Sequence, residues 1–297
     1  MASSSPSVSR LAPVAAAAAG VGFLSLMDAF MKEAALGAGT YTATTLRALI
    51  GLALIAPVWL ARTRRWPPIA TLKLHVERGI ISAFMALSFF YAITTMPLVQ
   101  AIAISFVAPI VALFLARILL GEQIRRTAYF ASFLGFVGTL VIVGGEIGFG
   151  REDSASVSPD FYYGLAAIGV SALLYAYNFI VIRKQSQLAG PVEVATFHSG
   201  VSGALLLVAA PFFWETPAAP AVMSIAAASV LTIAGAMAIA WAYARAETQA
   251  LVPMEYTGFL WASVFGWLFF HEQVTWPTLM GTALIVAGCW LATRQRG

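Results

Sequence analysis

An all-α integral membrane protein of ten transmembrane helices, arranged as two inverted five-helix repeats, is predicted by three features of this 297-residue chain. Apolar residues make up 60% of it and charged residues 10%, too few polar side chains to clothe a soluble surface. The apolar residues fall in runs of roughly 17–25, the length that crosses a hydrocarbon layer about 30 Å thick. The phrase LLGEQI at 119–124 returns as FFHEQV at 269–274, so Glu122 and Glu272 stand 150 residues apart in a chain twice that length.

The runs lie near 12–33, 41–61, 78–97, 99–119, 127–145, 161–182, 192–214, 221–245, 250–270 and 275–293. The first, LAPVAAAAAGVGFLSLMDAFM, is long for the apolar core of a signal peptide. Only Arg10 precedes it as a cation and a counterpart exists in the second half, so it is read as a retained helix. The second run carries Arg47 inside it and stops before the basic residues Arg62, Arg64 and Arg65, and the third starts at Arg78. Pro97 and Pro109 bracket the start of the fourth, which closes on Glu122; the fifth follows Arg125 and Arg126. The longest polar stretch, GREDSASVSPD at 150–160, then separates a first repeat, 1–149, from a second, 161–297, as a linker outside the membrane. The sixth run ends at Arg183 and Lys184, the seventh carries His198 and ends at Trp214, and the eighth ends at Arg245. Pro253 opens the ninth, and Arg294 and Arg296 close the tenth.

A shift of 150 residues aligns more than the two glutamates. SFLGFVGTLVIVGG faces GTALIVAGCWLATR with Gly138 over Gly288, and Asp28 faces Asn178. With a slip of one or two residues, Arg47 falls over His198 and Tyr91 over Tyr243. Agreement in order and spacing marks an internal repeat. Five helices per half is an odd number, so the second half starts on the other side of the membrane and the repeats are inverted. Such a duplication is a recurrent device of secondary carriers, whose halves exchange roles about a midplane site.

Starting the chain in the cytoplasm places most of its 17 Lys and Arg residues at cytoplasmic helix ends, among them Arg10, Arg62, Lys73, Arg78, Arg117, Arg125, Arg183, Arg245 and Arg294. The positive-inside rule then gives two cytoplasmic termini. The formal charge of +4 is accounted for by this distribution, with no need of a nucleic-acid partner. No P-loop for nucleotide hydrolysis is present, and Cys289 is the only cysteine, which excludes an intramolecular disulfide and a cysteine metal cluster. No cofactor and no metal site is expected.

The segments PIVALFLARILLGE (109–122), MEYTGFLWASVFGWLFFHE (254–272) and ERGIISAFMALSFFYAI (77–93) resemble the EamA-type branch of the drug/metabolite transporter superfamily, over nearly the whole chain. The resemblance implies a central cavity lined by helices 1–4 and 6–9, with helices 5 and 10 peripheral. It also implies residence in a bacterial inner membrane and, within the superfamily, a likeness to exporters of aromatic and other amino acids. Carriers of nucleotide derivatives and vitamins share the same motifs. Two positions depart from the pattern: His271 stands where a glycine is usual, and Phe259 faces Pro109, so helix 9 lacks the matching proline.

An ionisable group inside a bilayer is costly and marks a functional candidate. At about 1.5 Å per residue, Asp28, Lys32 and Arg47 fall in the outer third, and by inversion Asn178, His198 and Glu255 fall in the inner third. Asp28 and Lys32 are four apart, the spacing of a pair on one helix face. They are candidates for a gate, and Arg47 with Asp28 for holding the carboxylate and ammonium of a zwitterion. Glu255, embedded in VPMEYTGFLWASVF, is paired with His198 as a candidate for proton coupling. Tyr91, Tyr175, Tyr177, Trp241, Tyr243, Tyr256 and Trp261 lie on spans that the resemblance puts around the cavity. Trp59, Trp66, Trp214 and Trp276, with Tyr41, Tyr162 and Tyr163, sit at span ends as an interfacial belt. Pro97, Pro109 and Pro253 are hinge candidates. Glu122 and Glu272 are read as structural, each ending an apolar run where a carboxylate accepts from backbone donors of the next helix. The glycines of LGFVG, with Gly281 and Gly288, permit close helix approach or a dimer contact.

The expected partners are the lipid bilayer and a small solute, with the protein a monomer or weak homodimer. A polytopic membrane enzyme is the main competing class, but the three histidines His75, His198 and His271 are scattered and no catalytic constellation emerges.

Overall fold

The computed structural model describes residues 11–63, 66–95, 105, 107–147, 159–270 and 276–294. No water hydrogen-bonds the backbone in a bilayer core, so each segment satisfies its own N–H and C=O groups. Among the described residues the regular elements are accordingly helices, with no strand. The principal ones are α1 (Ala12–Ala38), α2 (Thr40–Arg62), α3 (Ile69–Thr95), α4 (Val107–Leu119) and α5 (Arg126–Ile147) in the first half. In the second half they are α6 (Pro159–Leu188), α7 (Pro191–Val208), α8 (Ala219–Tyr243), α9 (Thr257–Phe270) and α10 (Trp276–Arg294). Six helices (α1, α2, α3, α6, α7 and α8) are long and apolar enough to cross a membrane.

Helix ends depart from the apolar runs where polar residues continue a helix. α3 begins at Ile69 rather than near 78, which puts Lys73, His75, Glu77 and Arg78 on the helix. α6 continues past 182 to Leu188 through Arg183, Lys184, Gln185 and Gln187. Apolarity ends at these points, but helix propensity does not: Lys, Gln, Glu and Arg are good helix formers. The ninth span, expected near 250–270 with Pro253 as a hinge candidate, is not one continuous α-helix. One turn at Thr248–Leu251 passes into a 3-10 segment, Val252–Tyr256, before α9 starts at Thr257. Pro253 sits at the start of that 3-10 segment, where it has no N–H to donate to an α-helical ladder. Pro109 lies buried in the first turn of α4. Pro97, Glu272 and His271 lie outside the described residues.

Gly39 alone joins α1 to α2, with φ +71°. A side chain would be strained in that left-handed region, and the carboxylate of Glu215 packs where its Cβ would stand.

The packing has a regular pattern. α1 lies along α8 and α3 along α6; α2 faces α7; α5 lies along α10; α4 touches α6 as α9 touches α1. Exchanging each helix for its counterpart in the other half maps the α1/α8 pair onto α3/α6 and α4/α6 onto α1/α9, and leaves α2/α7 and α5/α10 as they are. Small residues bring the backbones together. On the α1/α8 seam, a Cβ at Gly20 would lie 3.2 Å from the carbonyl oxygen of Gly235, and one at Gly235 would lie 3.1 Å from that of Gly20. On the α5/α10 seam, a Cβ at Gly138 would lie 2.7 Å from the Gly281 carbonyl oxygen, and one at Gly288 would lie 2.8 Å from that of Ala131. The repeat offset carries 131 to 281 and 138 to 288, so these are one contact seen from the two halves. The glycines singled out in the sequence therefore serve packing within the chain.

The partners of Glu122 lie in the other half of the chain. Its Oε1 accepts from the backbone N–H of Thr248 at 3.3 Å and from the Thr248 hydroxyl at 3.1 Å, and it pairs with Arg183 Nε at 3.4 Å. Arg183 in turn donates to the carbonyl of Tyr243, and Gln187 Nε2 donates to the same oxygen at 3.0 Å. The carboxylate thus ties the end of α4 to the broken approach to α9 and to the end of α6. Glu122→Ala is expected to destabilise the fold by about 1.5–3 kcal/mol, the usual loss for hydrogen bonds to a charged group. The check is the melting temperature of the purified protein, with the KM for transported solute unchanged.

Candidate functional site: a bipolar central cavity

Between the helices lies a cavity of about 200 Å³, below the roughly 300–1,000 Å³ of sites for drug-sized ligands and suited to a smaller solute. Helical periodicity supplies its walls. Arg78, Ser82, Met85 and Phe89 recur at four-, three- and four-residue steps on one face of α3, and Ser171, Tyr175, Asn178 and Ile182 do the same on α6. Asp28 enters from α1, Arg47 from α2, His198 from α7, Thr232 from α8 and Glu255 from the 3-10 segment. The walls are built from equivalent positions of the two repeats: Asp28 and Asn178, Ser82 and Thr232, Ser105 and Glu255 each differ by the offset of 150, and Arg47 and His198 by one residue more.

The chemistry at those positions is not equivalent. The guanidinium of Arg47 donates from Nη1 to Thr232 Oγ1 at 2.9 Å and sits 5.8 Å from the ring centroid of Phe90. Asp28 is the carboxylate whose charge acts on it. Glu255 Oε2 accepts from the Tyr175 hydroxyl at 2.5 Å. Arg78, 4% exposed, donates from Nε to Asn178 Oδ1 at 3.4 Å and from Nη1 to Gln185 Oε1 at 3.1 Å. Arg47, Arg78 and His198 come from α2, α3 and α7, while Asp28 and Glu255 come from α1 and the approach to α9, making the cavity bipolar. Three buried polar atoms around it, Arg47 Nε, Ser82 Oγ and His198 Nδ1, have no hydrogen-bond partner among the described residues. Leaving such atoms unmet is costly, and a polar solute would satisfy them.

The structure joins what a depth count along the sequence divided. Asp28, Arg47, Asn178, His198 and Glu255, assigned to an outer and an inner third, line the same space with Tyr175. Other candidates lie elsewhere. Lys32 is off the cavity wall and makes no ion pair with Asp28 among the described residues; Arg47 is the neighbouring charge that acts on Asp28. Tyr91 is 41% exposed, because the next residue around the helix from the buried Phe90 points away from the core. Trp241 is covered by the guanidinium of Arg245, 4.2 Å from its ring. Tyr243 is buried beside Phe179, and Tyr256 packs on Gly135 of α5. Trp261 donates from Nε1 to the Ala18 carbonyl at 3.0 Å, closing the α1/α9 seam above Gly22. Tyr177 donates to Glu77 Oε1 at 2.5 Å. Of the expected belt, Trp66, Trp214, Trp276, Tyr162 and Tyr163 are exposed, but Trp59 is buried edge-on against Phe197.

Sequence reasoning missed the support of Arg78. His75, which falls between the second and third apolar runs of the sequence, is fully buried on α3. Its ring stacks on Phe197 with centroids 4.3 Å apart, Nε2 lies 3.1 Å from Glu193 Oε1, and Nδ1 lies 2.5 Å from Gln185 Nε2. The charge of Arg78 points to a cytoplasmic helix end, whereas its side chain is buried. The signal that was available is spacing, since His75 and Arg78 are three apart and so share a helix face.

Two stretches, residues 11–144 and 162–294, each match the EamA-like transporter family. The chain belongs to that family. Several curated relatives are similar along most of their length: the pseudopaline exporter CntI of Pseudomonas aeruginosa is 26% identical over 281 residues, covering 92% of each chain. The riboflavin transporter of Brucella anthropi is 26% identical over 260 residues, 83% of this chain and 85% of that one. The S-adenosylmethionine uptake transporter of Rickettsia prowazekii is 24% identical over 216 residues, 71% of this chain and 68% of that one. A solved crystal structure superposes with TM-score 0.79 at 19% identity, covering 96% of this chain and 99% of that one, a likeness of fold. This EamA-like chain is thus a membrane transporter, and its relatives move small metabolites in both directions.

Proposed function

We propose that this chain is a secondary carrier of small amino-acid-type metabolites, exporting them across the bacterial inner membrane by alternating access. The observation that carries this reading is the bipolar cavity. Arg47, with its unmet Nε, suits the carboxylate of a zwitterion, and Asp28 and Glu255 suit its ammonium group. Aromatic rings of Phe89, Phe90 and Tyr175 leave room for apolar bulk.

In this reading all ten helices cross the membrane with both termini cytoplasmic, and the repeats 1–149 and 161–297, joined by the linker 150–160, are inverted. The paired family matches and the exchangeable helix contacts support that arrangement. The halves rock about the α2/α7 contact, and the 3-10 segment at Pro253 gives α9 a place to bend. No covalent step is involved. Direction follows the solute gradient, and Glu255 with His198 supplies the groups for coupling to protons.

The test is uptake of radiolabelled amino acids of several charge classes by proteoliposomes, with and without a pH gradient. Saturable uptake accelerated by unlabelled amino acid on the far side is the expected result. No uptake from a folded sample, with uptake of a nucleoside-containing or flavin solute instead, would move the assignment to that substrate class. Product formation would move it to an enzyme.

A further inference from the structure

The two buried guanidinium groups of the cavity differ in one respect. Arg47 is acted on by the carboxylate of Asp28. Arg78 meets no carboxylate: its hydrogen bonds go to Asn178 Oδ1 and Gln185 Oε1, both neutral amides, and its remaining N–H groups have no partner among the described residues. The difference arises from the repeat, because position 178 is the counterpart of position 28 and holds an amide where the first half holds an acid. A buried charge without a counter-ion is unfavourable, yet this one is held firmly. Asn178 is 7% exposed and Gln185 fully buried, and Gln185 is braced by His75, itself locked between Phe197 and Glu193.

From this geometry we propose that Arg78 is a second anion-binding group, and that the preferred solute is an amino acid whose side chain carries a further carboxylate. The proposal rests on the zwitterion reading above. The α-carboxylate and ammonium engage Arg47 and Asp28, and the second carboxylate takes the free N–H groups of Arg78 in charge-assisted bonds. Asn178 and Gln185 use only one guanidinium N–H each, leaving the outer pair of donors for a planar carboxylate. His75 and Glu193 act through Gln185 as positioning residues and touch no solute.

The test uses the full-length protein in detergent and in liposomes, with three probes of similar size: glutamate, glutamine and glutarate. Wild type is expected to bind and transport glutamate with a KM at least tenfold below that for glutamine. Arg78→Gln is expected to raise the KM for glutamate at least tenfold more than it raises that for glutamine, and Arg78→Lys to retain part of the preference. Melting temperatures of both variants establish that they fold. Equal KM values for glutamate and glutamine in wild type, or an equal fall for both in Arg78→Gln, would overturn the proposal and leave the zwitterion reading intact. Glutarate and glutamate binding that depends on Arg78, with no glutamine binding, would support the anion site and overturn the zwitterion reading. Failure of all three probes would sink both.

Discussion

Replacing Arg47 with alanine is expected to lower transport of a zwitterionic solute by about 100-fold or more, the scale on which a desolvated charge partner is lost. It also leaves Asp28 without the cation that acts on it and Thr232 without its donor. Losing a hydrogen bond made by a charged group costs roughly 1.5–3 kcal/mol, so a fall in melting temperature accompanies the loss of transport. Removing both charges separates the effects. Asp28→Asn combined with Arg47→Gln eliminates the uncompensated carboxylate and is expected to recover most of the stability while transport stays absent. Wild-type uptake by the double variant, at matched amounts of protein in the liposomes, would mean that neither side chain holds the solute.

The α5/α10 seam gives the second large effect. Gly138→Leu places a side chain against the Gly281 carbonyl, and Gly288→Leu places one against the Ala131 carbonyl, both rigid helix backbone. Overpacking of this kind typically costs about 1–3 kcal/mol, and more where nothing can move aside. Because the two contacts are related by the repeat, the two variants are expected to lower the melting temperature by similar amounts. Gly169→Leu is the control, since a Cβ there meets nothing within 4 Å. A stable Gly138→Leu protein that dissociates from dimer to monomer would instead assign these glycines to an interface between copies.

Much of the architecture was legible because its causes are local or periodic. Span length follows from bilayer thickness, and the offset of 150 residues between Glu122 and Glu272 also relates Gly138 to Gly288 and Ala131 to Gly281 in space. Helix ends were less legible wherever a polar but helix-favouring stretch prolonged an apolar run, as at the start of α3 and the end of α6. The break before α9 required the conformation of Val252–Tyr256, which Pro253 alone hinted at. Within the candidate site, Asp28, Arg47, Asn178, His198 and Glu255 stand out in the sequence by the rarity of polar groups in apolar runs, whereas Tyr175 comes with the aromatic residues. The aromatic residues were a poorer guide, because Tyr91, Trp241, Tyr243, Tyr256 and Trp261 are as useful to lipid contact and helix packing as to a cavity.

Composition, periodicity and the repeat thus determined the kind of molecule this is: helical, membrane-embedded and duplicated. Hydropathy and spacing are properties of each segment taken alone, and the bilayer reads them one segment at a time. Which polar groups meet was decided only by the tertiary structure, because rotation about each helix axis depends on neighbouring helices. That rotation turned Tyr91 outward and Phe90 inward, brought Asp28 and Glu255 to one cavity, and took Arg78 from an assumed surface position to a buried one braced by Asn178 and Gln185.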